Sequence, residues 1–140
     1  MFQRGGYTGL SNNKIYLYAG HVVGNSAPAR DKSSKWFLSF EEYSFNKFPP
    51  FINAGSYVLS NNALRRFYFA SYFVEKFCLD DIYLAIVAIK CGIKPYHSKF
   101  FWRGRKDKKI EDLNFTIASH DFWNTKELND VWSAQRKLGN

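Results

Sequence analysis

Carboxylates are scarce in this chain of 140 residues: 12 Asp and Glu stand against 20 Lys and Arg, a formal net charge of +8. Such a surplus suits an anionic partner, whether nucleic acid, an acidic membrane surface or a phosphorylated ligand. The densest basic run, Arg103, Arg105, Lys106, Lys108 and Lys109, is interrupted by Asp107 and lies between two apolar stretches. That placement reads as a solvated loop. A nucleic-acid-binding module would need aromatic rings on an open sheet beside Lys and Arg. Most aromatics here fall in apolar helical patterns instead, and no nucleic-acid partner is expected.

Cysteine is nearly absent. Cys78 and Cys91 are the only two, and they form neither a metal-ligand spacing nor a disulfide framework. They flank one helical segment, which would hold them on the order of 15 Å apart, too far to bridge. Long hydrophobic runs are absent too: no stretch approaches the about 18 apolar residues of a membrane-spanning helix. Residues 1–13 are rich in Gly and Asn and carry no signal-peptide core. This end is expected to be loose, and any targeting signal or anchor to lie outside the chain. One sequon, Asn114-Phe115-Thr116, fits a secretory location.

What is present suffices for one domain with a true core. The apolar fraction, 46%, excludes disorder as the default. Aromatic residues are heavy, at 14 Phe, 9 Tyr and 4 Trp; such rings stack on sugars and bases, but most fill cores.

Ile15 to Ala19 is a short β-rich run ended by Gly20, and residues 24–35 read as a loop. Trp36 to Phe40 is expected as a strand. Pro49-Pro50 forces extended backbone, and Ala54 to Leu59 follows as a strand whose small first residues permit close approach of a ligand or another backbone. Ser60 is suited to cap a helix with Leu64, Phe67, Tyr68, Phe73, Val74 and Phe77 toward its apolar face. Asp80 and Asp81 open the next helix, Ile82 to Cys91 is almost wholly apolar, and Gly92 ends it. Residues 94–102 and 115–120 are expected as strands. Asn124 with Glu127 forms a capping box for a last helix with Leu128, Val131, Trp132 and Leu138 on its apolar face. This alternation predicts an α/β domain with a mixed or parallel sheet.

Three local features bear on chemistry. The Asp80-Asp81 pair serves either as helix-start charge or as a source of a general base. His120, at a strand end, is either structural or a metal ligand that needs partners. Residues 49–60 form either a turn into a core strand or the wall of a sugar pocket.

The order of the blocks narrows these alternatives. Lys35-Trp36-Phe37-Leu38-Ser39 with Glu41-Glu42-Tyr43 precedes Phe48-Pro49-Pro50-Phe51; then come Gly55-Ser56-Tyr57-Val58-Leu59-Ser60 and Leu79-Asp80-Asp81-Ile82-Tyr83. This succession resembles the β-1,3-galactosyltransferase and β-1,3-N-acetylglucosaminyltransferase family. That family has a Lys-Trp-Tyr-Val-Ser block, a Tyr-Pro-Pro-Tyr turn, a Gly-Tyr-Val-Leu-Ser strand and a Glu-Asp-Val-Tyr helix start. Ala19-Gly20-His21-Val22 and Ile117-Ala118-Ser119-His120 fit its Brainiac-type subgroup.

The resemblance runs from about residue 14 to the C-terminus. It implies the C-terminal, acceptor-side half of a GT-A type fold, α/β with a mixed sheet and flanking helices. It also implies inverting hexosyl transfer in β-1,3 linkage from a UDP-sugar to a glycolipid or glycoprotein glycan. The location implied is the lumenal side of the Golgi apparatus membrane, through an anchor not in this chain. By the same resemblance Asp81 is the base, Asp80 its support or the cap, and His120 a ligand of Mn²⁺. Trp36, Tyr43, Phe51, Gly55 and Ser56 would shape the substrate pocket. The family's Asp-rich metal and nucleotide motif lies upstream of the region matching Ile15, and this chain carries no such motif. It is therefore expected to be inactive alone. The alternative is a truncated, non-catalytic product.

Overall fold

The computed structural model describes residues 15–102, 104, 115–120 and 122–137. The loose end at 1–13, all five basic residues of the run at 103–109, Asn114 of the sequon and Leu138 lie outside the described residues.

The central strand is β1 (Tyr18–Val23). It pairs antiparallel with β2 (Phe51–Leu59) and parallel with β3 (Tyr96–His97), giving the order β2-β1-β3. Helices α1 (Asn61–Ser71) and α2 (Asp80–Lys90) follow β2. A second, two-stranded parallel sheet joins β4 (Phe101–Trp102) to β5 (Ala118–Ser119), and α3 (Thr125–Lys137) ends the described chain. The fold is thus α/β with a mixed sheet and flanking helices, as expected.

The core forms where the apolar faces of β1, β2, α1 and α2 meet: Tyr18, Ile52, Ala63, Phe67, Val87 and Ile93 pack together. A second cluster of Phe51, Ile82 and Ala85 takes in Phe48 and Phe77. Full burial of Ile82 and Val87 contributes about 1.5–3 kcal/mol each. A third, smaller cluster sets Val131 of α3 against Trp102.

Local end signals decide the helices. The Ser60 hydroxyl accepts the Ala63 N–H at 3.3 Å, as expected of a cap. It also accepts the Leu17 N–H at 2.9 Å and donates to the Ile15 carbonyl at 2.8 Å, fastening the approach to β1 onto the start of α1. Gly92 takes φ +67, the left-handed turn that stops α2. Asn124 Oδ1 accepts the Glu127 N–H at 2.9 Å, and the Glu127 carboxylate reaches back to the Trp123 N–H. Cys78 and Cys91 are free.

Several segments depart from the sequence reading. β1 begins three residues late and runs through Gly20. A Cβ there would overlap Ile52 and lie 3.0 Å from the Ser56 carbonyl, so glycine lets the strands close. Trp36 to Phe40 is no strand: among the described residues one bridge, Ala29 to Phe37, is its only ladder contact. Arg30 explains this. Its guanidinium donates to the carbonyls of Leu38, Ser39, Tyr43 and Phe45 at 2.7–3.0 Å, supplying from one side chain the partners a neighbouring strand would otherwise provide.

α1 stops at Ser71, short of Phe73 and Phe77, and Leu64 and Tyr68 face solvent while Ala63 and Phe67 are buried. Residues 94–102 split into β3 and β4, because the chain turns at Ser98 and leaves one sheet for the other. Leu128 and Trp132 of α3 are about half exposed, so only Val131 of the expected face is buried among the described residues.

Candidate active site

The site begins as an irregularity of strand pairing. Gly20 faces Tyr57 and Val22 faces Ile52, so the single residue His21 stands opposite Asn53, Ala54, Gly55 and Ser56. The extra length on β2 must bulge. Small side chains make the bulge approachable, and two groups converge on it: the start of α2 and the end of β5.

From α2 comes the acidic pair. The N-cap position is Leu79, which has no side-chain cap bond, so neither aspartate is the cap. Both lie in the first turn. Asp80 Oδ1 accepts the Asp81 N–H at 3.0 Å, and Asp81 Oδ1 accepts the Ile82 N–H at 2.9 Å. Asp80 is exposed; Asp81 is half-buried. Burial pushes the Asp81 carboxyl above the ordinary value, and the charge of Asp80 adds to this. The Ile82 N–H and the approach of the Ala54 N–H pull it part of the way back. Desolvation wins over the helix start.

Beneath the pair lies Tyr18, which the sequence reading missed. It is 1% exposed, and among the described residues its hydroxyl has no hydrogen-bond partner; the Ile52 N–H approaches without closing a bond. Burial holds its pKa far above the ordinary value, and Tyr57, Asp81 and Asp80 push the same way.

From β5 comes His120. Its ring lies on Gly55, where a Cβ would overlap Cδ2 and stand 2.6 Å from Nε2. Nε2 is 3.2 Å from Asn53 Oδ1. With that oxygen as acceptor, Nε2 carries the proton. Asn53 was also missed by sequence reasoning, since a lone Asn in a strand carries no signal without its partner.

The structure therefore brings Asp80, Asp81, Gly55, Ser56 and His120 to one bulge. Trp36, Tyr43 and Phe51 belong to other clusters. Trp36 is exposed, with the Lys35 ammonium 4.2 Å from its ring centre. Tyr43 is buried against Phe45, Phe48 and Phe77, donates to the Lys47 carbonyl at 3.0 Å, and lines a cavity of about 290 Å³ beside Ile86 and Lys90. Phe51 is buried on Ile82 and bears on the site only through the start of α2. Among the described residues no group of three His, Cys, Asp or Glu could hold a metal ion. His120 alone does not fit a Mn²⁺ site, which needs several mostly oxygen ligands.

The sequence matches the family model of the galactosyltransferases over residues 7–99. It is 45% identical to beta-1,3-galactosyltransferase brn of Drosophila melanogaster over 90% of this chain and 39% of that protein. It is 30% identical to lactosylceramide 1,3-N-acetyl-beta-D-glucosaminyltransferase of Rattus norvegicus over 83% of this chain and 31% of the relative. With beta-1,3-galactosyltransferase 5 of Mus musculus the figures are 29%, 88% and 41%. The chain thus spans about two fifths or less of the length of these relatives. With a match across well over half its residues and the ordered blocks around Ser60 and Asp81, this chain belongs to the galactosyltransferase family.

Proposed function

We propose that residues 14–140 form the acceptor side of a GT-A type, inverting β-1,3-hexosyltransferase, with Asp81 as its general base. The observation that carries this reading is the half-buried Asp81 carboxylate. Burial raises its proton affinity, and it lies against the same bulge that seats His120. A base must accept a proton readily, which a fully solvated carboxylate does poorly.

In the reaction, an acceptor hydroxyl gives its proton to Asp81 as its oxygen attacks the anomeric carbon. The bond from that carbon to the UDP oxygen breaks, and configuration inverts in one displacement. Gly55 gives the His120 ring its seat, Ser56 beside it would face the sugar, and Asp80 sets the Asp81 backbone through its bond to the Asp81 N–H. Mn²⁺ at the leaving diphosphate would need ligands beyond His120, and no step here is assigned to it. UDP-galactose and UDP-N-acetylglucosamine are the donors that the relatives' names support, and lactosylceramide in one of them supports a glycolipid acceptor. The place of action is the Golgi lumen, with anchoring outside this chain.

The test uses this chain within a protein of its relatives' full length. Asp81→Asn should lower kcat by about 10²- to 10⁴-fold with little change in donor KM, and Asp80→Asn far less. Gly55→Ala should displace His120 and weaken turnover with the fold intact. Near-parental turnover in Asp81→Asn sinks the assignment.

A further inference from the structure

The bulge of β2 is tied from within. Asn53 opens it, and its side chain turns back on its own backbone: Oδ1 accepts the Gly55 N–H at 3.4 Å. This is the bond by which an Asn closes a turn two residues on. The same oxygen stands 3.2 Å from His120 Nε2. One atom thus joins three places in the chain: the start of the bulge, its glycine, and the ring that lies on that glycine from the end of β5.

The double contact decides two orientations. A backbone N–H can only donate. The Asn53 atom facing Gly55 is therefore the carbonyl oxygen and not the amide nitrogen. An oxygen without a hydrogen needs a donor from the ring, so Nε2 carries the proton. In the neutral ring Nδ1 is then the acceptor nitrogen. A group that meets His120 at Nδ1 must bring its own hydrogen. A sugar hydroxyl does so; a phosphate or ionised carboxylate oxygen does not.

The geometry points to Asn53 as a positioning residue of the transfer reaction. Its carbonyl oxygen clamps the bulge and holds His120 over Gly55 as the Nε2–H tautomer, the form whose Nδ1 accepts from a sugar hydroxyl. Asn53 acts through His120 and not on the reacting atoms. Its part in transfer rests on the function proposed above; its hold on the tautomer does not.

The first test is nitrogen-15 NMR of the imidazoles in the full 140-residue chain, above about pH 8, where an ordinary histidine is neutral. Nε2–H should be the dominant form of His120. Asn53→Leu keeps the branched shape and loses the oxygen, and should lower the ratio of Nε2–H to Nδ1–H about three- to tenfold. Asn53→Asp keeps an acceptor there and should hold Nε2 protonated. His21 and His97, the other two histidines of the chain, should keep the parental signals in both variants, which tells a local effect from a loss of fold. The second test completes the chain with the N-terminal part of a full-length relative. Asn53→Leu should lower turnover by about 5- to 100-fold. Added to His120→Ala, it should deepen the loss by less than about twofold, whereas an asparagine needed only for structure would give losses that add. Three results overturn the proposal: Nδ1–H dominant in the parent, an unchanged ratio in Asn53→Leu, or additive losses in the double variant. If Asp81→Asn keeps its turnover while Asn53→Leu still shifts the tautomer, the base assignment fails and the hold of Asn53 on His120 stands.

Discussion

Asp81 sits where two electrostatic effects oppose each other. The first turn of a helix favours negative charge, whereas removal from water penalises it. The net shift is upward, so the folded chain holds this proton more tightly than the unfolded chain does. Between the ordinary carboxylate value and the raised one, the native state binds the extra proton. Stability therefore falls as pH rises through that window, and the loss is complete above it. Asn at position 81 keeps an acceptor for the Ile82 N–H and carries no charge to desolvate. Asp81→Asn should thus melt at a higher temperature than the parent near neutral pH, with the gap closing below the carboxylate range. Thermal melts of both chains across pH check this, and a variant less stable than its parent at neutral pH contradicts it. A residue that is worth removing for stability and costly to remove for turnover is what a general base predicts. Of this site, the sequence displayed the acidic pair and His120. It did not display Tyr18 or Asn53, whose meaning depends on what the bulge places beside them.

At the scale of elements, legibility followed the reach of the determining interaction. Ser60, Gly92 and the Asn124–Glu127 box act within one turn of the chain, and each ended or began its helix where the sequence placed it. The segment Trp36 to Phe40 has strand composition, yet its carbonyls at Leu38 and Ser39 are taken by Arg30, eight and nine residues away. No pattern within the segment announces that. The loop from Ala29 to Phe48 accordingly depends on one guanidinium whose planar fork spans four carbonyls, with its carbon 4.0 Å from the Phe40 ring centre. Lysine keeps the charge but not the fork. Arg30→Lys should cost about 2–3 kcal/mol, the loss of two or more charge-assisted bonds, read as a shift in the urea midpoint. A midpoint unchanged in this variant would mean that water replaces the guanidinium at no cost.

At the scale of the whole molecule, the described residues hold a core, a bulge and the candidate base, but not what a departing diphosphate would require. In the reaction proposed above, UDP would leave with charge that must be neutralised as the bond breaks. His120 lies on the bulge and His21 stands opposite it, but among the described residues no group of three potential ligands exists. The other histidine pair, His21 and His97, has ring centres 5.3 Å apart on β1 and β3, and His97 Nδ1 already accepts the Val22 N–H at 3.1 Å. That bond occupies the nitrogen lone pair a metal would use. The chain also spans only 39% of its Drosophila relative, so most of such a protein lies outside it. The isolated 140 residues should therefore release no UDP from UDP-galactose or UDP-N-acetylglucosamine, with or without Mn²⁺, under conditions where a full-length relative turns over. Joined to the N-terminal part of such a relative, the same residues should restore release that depends on Asp81. Turnover by the chain alone would show that its own side chains suffice for the leaving group, and the division of labour argued from Asp81 and His120 would have to be redrawn.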